Sequence, residues 1–338
     1  MGIKKFQIAG KSYSRSQLPL SGLPSEALEF IDQYLDQEFI KVQTSGSTGK
    51  PKPIRLSTTH MRQSALKTLR FFELEPGQSC LLCMSPRYIA GMMMLVRWLE
   101  GKLNLYYSEP SSKPLKELSA SIDFAAMVPY QVFHSLNDLD KLNTLLIGGG
   151  SLSPDLELQL SEVEPHVYQS YGMTETITHI ALREINPNNQ PLFTALPGVK
   201  FSVDQRSCLV IDAPEIGVMN LVTNDVVELY GEEEFRWNGR FDNVVNSGGI
   251  KLYPEQLEYQ IGDIGCAYIF GGIPDPALGQ RLVMVLESDD VPPELHDRLK
   301  ELDAYHRPRD IKTIAAFDRT GTGKPRRHLI LKKAFPMA

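Results

Sequence analysis

Residues 58 to 72 place apolar side chains at helical spacing. The positions that fall on one face are Met61, Ala65, Leu69 and Phe72. This period predicts an amphipathic helix packed on a core. The apolar run CLLCM then predicts a buried strand, and the largely apolar residues 89 to 100 predict a second helix.

The same alternation continues along the chain. DFAAMVP and TLLIGGG predict further buried strands with helices between them. SPDLELQLSEVEP predicts a helix with Ser153 as N-cap and Pro154 at its first position. Its inward positions are Leu156, Leu160 and Val163. Strands and helices that alternate at this length predict a layered α/β domain with a mostly parallel sheet.

The pattern changes near residue 196. Short strand-like pieces with turns, among them CLVID and VTNDVVELY, replace the helices until residue 254 and predict a smaller β-rich subdomain. Past Gly239 the pattern predicts a hairpin and a short helix opened by Pro254 and closed by Gly262. Two strands, a helix near 292 to 303 and a last strand before a C-terminal loop complete the expected order.

The length also bears on domain organisation, because 338 residues exceed what one hydrophobic core normally serves. We predict a large N-terminal α/β domain over residues 1–241 and a small α+β domain over residues 242–338. The 41 acidic and 35 basic residues give a formal charge of -6, so nothing indicates a nucleic-acid partner. The sequence alone does not predict an oligomeric state.

Other features narrow the class of protein. The four cysteines are too few and scattered for a disulfide framework, and no histidine pair has the spacing of a zinc site. The first ten residues lack the apolar core of a secretory signal. The longest apolar stretch, IAGMMMLV, stops at Arg97 and is too short to cross a bilayer. A cytoplasmic protein with no membrane partner is expected.

The segment TSGSTGKPK offers backbone N–H groups, short hydroxyls and nearby cations, which together predict a phosphate-binding loop. It is not a Walker loop, because Gly46 and Gly49 are three apart and Pro51 follows Lys50. A flexible polar linker is the alternative.

Four further places in the chain carry candidate ligand-binding groups. In QSYGMTETITH, Tyr171 is suited to cover a planar base, Thr174 to meet a phosphate and Glu175 to bind Mg²⁺ through oxygen. A turn with a solvated acid is the alternative.

The glycines of IGGG allow close approach of a flat ligand or simply end a strand. The Asp225 carboxylate is suited to bind the two hydroxyls of a ribose. Lys324, in the glycine-spaced loop DRTGTGKPRR, is suited to deliver a cation to a transition state or belongs to a solvated basic tail.

Five fragments in order resemble the adenylate-forming superfamily of acyl- and aryl-coenzyme A ligases, adenylation domains and luciferases. They are TSGSTGKPK, YGMTET, GRFDNVVNSGGIKLYPEQLE, GGIPDPALGQR and RTGTGKPRR, and they span roughly residues 41 to 331. The resemblance implies a large nucleotide-binding domain, here shortened at its N-terminus, and a small C-terminal lid joined at a hinge. It also implies ATP, Mg²⁺, coenzyme A and a small carboxylic acid as cofactors and substrates.

The resemblance assigns roles by position. To the pyrophosphate-handling loop it assigns Thr44, Ser45, Gly46, Ser47, Thr48, Gly49 and Lys50. To the adenine and ribose sites it assigns Gly148, Gly149, Gly150, Tyr171, Gly172, Asp225 and Arg240. Thr174 then contacts the α-phosphate, Glu175 binds magnesium and Lys324 bridges carboxylate and phosphate. Asp242 resembles the hinge, and the lid face for thioester formation comprises Gly248, Gly249 and Lys251.

Within the superfamily, SPRYIAGMMMLVRWLEG and YGMTETITHI resemble o-succinylbenzoate-CoA ligases of menaquinone biosynthesis. The implied acid pocket comprises Arg87, Tyr88, Gly91, Thr178 and His179. Departures fall at Tyr88, Asn224 and Asp318, where the family often has His, Gly and Pro. Two alternatives stay open at this stage: an adenylation enzyme that loads another acid onto coenzyme A or a carrier protein, and a catalytically silent AMP-binding module.

Overall fold

The structure is a computed structural model that describes residues 5–43, 53–320 and 323–336. The described residues form eight α-helices: α1 (Ser25–Asp36), α2 (Thr58–Phe71), α3 (Ile89–Gly101), α4 (Pro129–His134), α5 (Pro154–Leu160), α6 (Pro254–Ile261), α7 (Leu295–Glu301) and α8 (Arg327–Ala334). None of the helices in this part of the chain combines the length and apolar character needed to cross a bilayer.

The strands of the first half of the chain are β1 (Phe6–Ile8), β2 (Lys11–Tyr13), β3 (Phe39–Gln43), β4 (Pro53–Ser57), β5 (Ser79–Leu82), β6 (Asn104–Tyr107), β7 (Ile122–Met127), β8 (Leu142–Ile147) and β9 (His166–Gly172). Those that follow are β10 (His179–Asn186), β11 (Phe193–Ala195), β12 (Lys200–Val203), β13 (Cys208–Ala213), β14 (Val218–Leu229), β15 (Glu234–Arg240), β16 (Val245–Ser247), β17 (Ile250–Leu252), β18 (Tyr268–Asp275), β19 (Gly279–Glu287) and β20 (Asp310–Ile314).

The largest sheet has the order β12-β13-β14-β15-β11-β10-β9-β8-β7-β5-β6-β1-β2. Its strands run parallel from β1 through β6, β5, β7 and β8 to β9, as the alternating pattern predicts. From β9 through β10 and β11 to β15, β14, β13 and β12 the pairing is antiparallel. The predicted α/β fold class is confirmed, and the strands of the β-rich region extend the edge of the same sheet.

Strand β7 shows how two helical layers cover this sheet. Phe124 and Ala126 pack into the core that contains α2 and α3 side chains, whereas Ala125 and Met127 pack with Val132 and the α5 side chains. Successive strand residues point to opposite faces, so a strand buried on both faces is apolar throughout. The apolar runs in the sequence follow from this geometry.

Local signals place several helix ends where the sequence predicts them. The Ser153 hydroxyl accepts a 3.2 Å hydrogen bond from Leu156 N at the start of α5. Helix α6 starts at Pro254 and is followed by Gly262 at φ 72°. Helix α8 is a correction, because the expected C-terminal loop contains it. Half of its eight residues are basic, and among its residues only Ile330 is fully buried, so the periodic signal is weak.

A second sheet begins after the last strand of the first. It has the order β17-β16-β19-β18, with β20 parallel to β19, and its core includes Phe270, Met284, Leu257 and Leu295. Strand β15 of the large sheet ends at Arg240, and β16 begins at Val245. The domain limits 1–241 and 242–338 stay a prediction.

Candidate active site

The turn between β9 and β10 carries Thr174 and Glu175. Gly172 and His179 are paired across it, and a Cβ on Gly172 would lie 2.4 Å from Thr178 O, so only glycine fits. The buried Thr176 hydroxyl accepts from Met173 N at 2.9 Å and lies 2.8 Å from Thr178 O. This side chain therefore fixes the turn that presents Thr174 and leaves Glu175 exposed.

Ile177 in the same turn has φ 67° and ψ -59°. A β-branched residue rarely adopts positive φ, because its Cβ substituents crowd the backbone. Residues held in such conformations concentrate at ligand sites, where the surrounding structure keeps them in place. No pattern in the sequence indicated this backbone conformation.

A cavity of about 250 Å³ adjoins Glu175. Its polar wall includes Arg55 from β4 and His60 from α2. No cluster of three or more His, Cys, Asp or Glu side chains that would hold a metal occurs in the described ranges. A single carboxylate still fits Mg²⁺, because this ion usually keeps several waters and completes its shell with substrate phosphates. Glu175 is the described residue that would hold it.

Three of the predicted nucleotide-binding residues meet at one carboxylate. The Tyr171 hydroxyl donates to Asp225 Oδ2 at 2.7 Å, and Arg240 Nη1 donates to Oδ1 at 3.5 Å. The Trp237 indole donates to the same Oδ1 at 3.2 Å. Burial and the Asp225 charge raise the pKa of Tyr171 well above its ordinary value, so the phenol stays a donor.

The glycines at the end of β8 lie beside the strand that carries Tyr171. A Cβ on Gly148 would lie 2.7 Å from the Ser170 hydroxyl, which itself donates to Ile147 O at 3.0 Å. Gly149 has φ 81°, a conformation in which side chains are strained. The turn therefore has no side chains that would cover its backbone at the carboxyl edge of the parallel strands, where α/β sheets bind ligands.

The residues that the resemblance assigns to the lid and hinge lie in the second sheet, in its loops and in the segment that leads into it. Gly248 and Gly249, at φ 61° and 87°, form the two-residue turn between β16 and β17, and Lys251 is exposed on β17. Lys324 is exposed in the loop before α8, where its backbone N–H donates to the Thr320 hydroxyl at 3.1 Å. Asp242 accepts a hydrogen bond from the Asn224 amide.

The residues of the implied acid pocket do not all contact one another. Arg87 and Tyr88 are exposed, and Arg87 Nη2 pairs with Glu26 Oε1 at 2.6 Å. Gly91 sits where α3 crosses the preceding loop, and a Cβ there would lie 2.4 Å from Ser85 O. Thr178 and His179, in contrast, contact a different arginine.

That arginine is Arg97, in the middle of α3 and 2% exposed. Its Nη2 donates to Thr178 Oγ1 at 3.1 Å and lies 3.5 Å from His179 Nδ1. Its Nε is buried and has no hydrogen-bond partner among the described residues. Burial lowers the pKa of Arg97 to about 10, which leaves it charged at neutral pH.

No carboxylate of the described residues forms an ion pair with Arg97, and the remaining residues of the sequence contain no Asp or Glu. Sequence reasoning recognised Arg97 only as the end of an apolar run and part of a family pattern. The available signal was its place inside the helix, between Val96 and Trp98, where a charge has no access to water.

Thr44 to Lys50, the predicted phosphate loop, lie outside the described residues. The segment joins β3 to β4, which pair in antiparallel register from Phe39 opposite Ser57 to Gln43 opposite Pro53. The phosphate-handling role of these seven residues stays a prediction.

Comparison with known proteins defines the class. The model of the AMP-binding enzyme family matches residues 42–217, more than half of the chain. The chain belongs to this family of AMP-binding enzymes. The match covers the predicted phosphate loop, the β9–β10 turn and Arg97.

Particular relatives are similar over most of their length. The structure of an acyl-CoA synthetase (AMP-forming)/AMP-acid ligase II-like protein from Dyadobacter fermentans is 37% identical, with a TM-score of 0.61, and the match covers 92% of this chain and 94% of that one. The o-succinylbenzoate coenzyme A synthetase of Bacillus subtilis, solved with ATP and magnesium ion, is 20% identical with a TM-score of 0.76, covering 86% and 69%. This second likeness shows the fold.

Two curated sequences differ in the acid that their names give. A probable 2-succinylbenzoate–CoA ligase of Mycobacterium tuberculosis is 25% identical over 91% of this chain and 87% of its own length. A feruloyl-CoA synthase of an Amycolatopsis species is 24% identical over 86% and 68%. Both names describe ligases of aromatic acids.

Proposed function

We propose that the protein is an ATP-dependent acid–thiol ligase that adenylates o-succinylbenzoate, as in menaquinone biosynthesis. The acyl group is then transferred to coenzyme A, with release of AMP and pyrophosphate. The family membership supports the adenylation chemistry. The names of the relatives support coenzyme A as acceptor and an aromatic acid as substrate.

The observation that carries the choice of acid is the buried guanidinium of Arg97. Taking an arginine out of water without a counter-charge costs several kcal/mol. Arg97 is 2% exposed and has no carboxylate partner within the described ranges. A substrate with a second carboxylate supplies the missing anion, because guanidinium binds carboxylates through paired N–H donors. Ferulate has one carboxylate, which the reaction itself uses.

The proposed reaction has two steps. A carboxylate oxygen attacks the α-phosphorus of ATP, a new P–O bond forms, and the bond to the pyrophosphate oxygen breaks. Lys324 lies between the two anions as they approach, and Thr174 donates to the α-phosphate. Mg²⁺, when bound by Glu175, neutralises phosphate charge. Asp225 and Tyr171 hold the ribose and the base.

In the second step the thiol sulfur attacks the acyl carbon. A C–S bond forms, the C–O bond to phosphate breaks, AMP leaves and the thiol proton goes to solvent. The lid rotates about Asp242 so that Lys324 withdraws and the turn with Gly248, Gly249 and Lys251 faces the site. The cytoplasmic location and the lack of nucleic-acid and membrane partners stay predictions.

Pyrophosphate release over a matched panel of acids tests the proposal. The panel contains o-succinylbenzoate, 3-benzoylpropionate without its ring carboxylate, 2-butyrylbenzoate without its aliphatic carboxylate, and ferulate. We expect kcat/KM to be highest for o-succinylbenzoate, and Arg97→Met to remove most of that preference, roughly a hundredfold. The exposed Arg62, paired with Glu100, gives the control Arg62→Met. A preference for ferulate would refute the assignment of the acid.

The acceptor is tested separately. The acyl-adenylate formed in the first step is offered free coenzyme A or a carrier protein with its phosphopantetheine arm. We expect thioester formation with free coenzyme A. Transfer to the carrier alone would favour the carrier-loading alternative, and absence of pyrophosphate release with every acid would favour a silent AMP-binding module.

A further inference from the structure

The side chain of His179 connects the Arg97 site to helix α2. The ring is 5% exposed, with Nδ1 3.5 Å from Arg97 Nη2 and 3.4 Å from the Thr178 hydroxyl. On the opposite edge Nε2 lies 3.2 Å from the hydroxyl of Thr68, which is fully buried in α2. Both ring nitrogens therefore have partners inside the protein.

The chemistry of the neighbours fixes the tautomer. A guanidinium only donates hydrogen bonds, so the nitrogen that faces Arg97 has to accept. The ring proton then lies on Nε2 and is donated to Thr68 Oγ1. The Thr68 hydroxyl is 3.3 Å from Ser64 O and donates its own proton there. Every donor in this chain of bonds has an acceptor.

We propose that His179 is a positioning residue, which in its neutral form orients Arg97 toward the second carboxylate of the acid without touching the acid itself. This inference rests on the proposed function. His179 and Thr178 hold Nη2 on one side, so the guanidinium cannot rotate freely about its long side chain. The Nε–H of Arg97, which is buried and has no hydrogen-bond partner among the described residues, is the donor that this proposal assigns to the substrate carboxylate.

The arrangement separates His179 from Thr178 in function. Thr178 contacts Arg97 directly and is only half-buried, so the proposal places it next to the acid. His179 has no free ring nitrogen with which to bind a substrate. Its effect on the acid thus passes through Arg97, and Thr68 sets its orientation from the other side.

The kinetic test compares o-succinylbenzoate with 3-benzoylpropionate in His179→Leu, His179→Asn and Thr68→Val. Leucine removes the acceptor, so KM for o-succinylbenzoate is expected to rise about tenfold, with kcat and both parameters for 3-benzoylpropionate little changed. Asparagine can place an amide oxygen near the Nδ1 position and is expected to restore most of the affinity. Thr68→Val is expected to raise the same KM about threefold. Equal losses on both acids, or no change in the KM ratio, would overturn the proposal.

A spectroscopic measurement decides the tautomer independently of activity. The ¹⁵N shifts of the His179 ring at neutral pH are expected to show an unprotonated Nδ1 and a protonated Nε2, with the Nδ1 shift altered in Arg97→Met. A proton on Nδ1 would overturn the inference. If Arg97→Met leaves the preference for the diacid intact, the proposed pocket is wrong. If Arg97→Met abolishes it and His179→Leu does not, only the role of His179 is wrong.

Discussion

The Tyr171 hydroxyl donates a 2.7 Å hydrogen bond to Asp225 across 54 positions of sequence. The aromatic ring of Tyr171 packs edge-on against Phe235 at 5.0 Å, which limits its orientation. The residue proposed to cover the base and the residue proposed to hold the ribose therefore form one unit.

Loss of this bond is expected to weaken ATP binding specifically. Tyr171→Phe keeps the ring but leaves Asp225 Oδ2 without the phenol donor, so the carboxylate is less well fixed for the ribose. KM for ATP should rise roughly three- to tenfold, with KM for the acid unchanged. Steady-state pyrophosphate release at varied ATP measures this.

Tyr168→Phe is the matched control for that prediction. Tyr168 lies on the same strand, and its hydroxyl donates to Glu184 at 3.1 Å, outside the proposed nucleotide site. This variant loses a bond of the same chemical type. A similar rise in KM for ATP in both variants would indicate a general effect on the sheet.

Lys324→Ala is expected to separate the two half-reactions. Without the cation that offsets repulsion between carboxylate and phosphate, adenylate formation should fall by about 10²- to 10³-fold. Thioester formation from a supplied acyl-adenylate should be largely intact, because the proposed lid rotation withdraws Lys324 from that step. Single-turnover assays of each step test this, with the exposed Lys332→Ala as control. Equal loss of both steps counts against lid alternation.

The buried His179 predicts a pH dependence of stability. Burial and the Arg97 charge lower its pKa well below its ordinary value of 6.5 in the folded protein. As the pH falls through about 6.5, the unfolded chain binds a proton at this position and the folded chain does not. The free energy of unfolding therefore decreases toward acid, by at most about 1.4 kcal/mol per pH unit from this group.

Urea denaturation of the wild type and His179→Asn between about pH 7 and pH 5 isolates this contribution. The asparagine variant lacks the titrating ring, so its stability should fall less steeply over the same interval. The free energy of unfolding of the wild type, minus that of the variant, should therefore decrease as the pH is lowered. Parallel curves would show that His179 is not held neutral.

Asn224, the position where the family often has glycine, is expected to limit local opening of the backbone around the proposed hinge. Its amide donates to Asp242, the proposed hinge residue. Asn224→Gly should increase hydrogen exchange at the backbone of Phe241–Asn243, roughly two- to tenfold, because one anchor of that turn is lost. Exchange in β14 away from the substitution should be unaffected.

A double-mutant comparison tests whether the contact itself is responsible. Asp242→Ala alone should accelerate exchange at the same amides, and the double variant should add little to either single change. Additive acceleration would mean that the two residues act separately.

The sequence by itself determined most of the local architecture and indicated candidate groups for the site. Apolar runs such as that of β7 follow directly from burial on both faces of a parallel sheet, and Ser153 and Pro154 fixed the start of α5. The glycines and their polar neighbours indicated Gly148 and Tyr171, because a ligand can approach a backbone closely only where bulky side chains are absent. The carboxylate of TND indicated Asp225. The nucleotide-binding roles of these residues stay predictions.

Only the tertiary structure decided which groups meet. Arg97 comes from α3, Thr178 from the β9–β10 turn, His179 from the start of β10 and Thr68 from α2, so no short stretch of sequence brings them together. Whether a charged side chain is buried depends on the elements that pack around it. The helical period of 3.6 residues shows which face a residue lies on, but not which other elements cover that face. The place of Arg87 in the acid pocket stays a prediction; packing puts Arg97 beside Thr178, and Arg87 lies at the surface with Glu26.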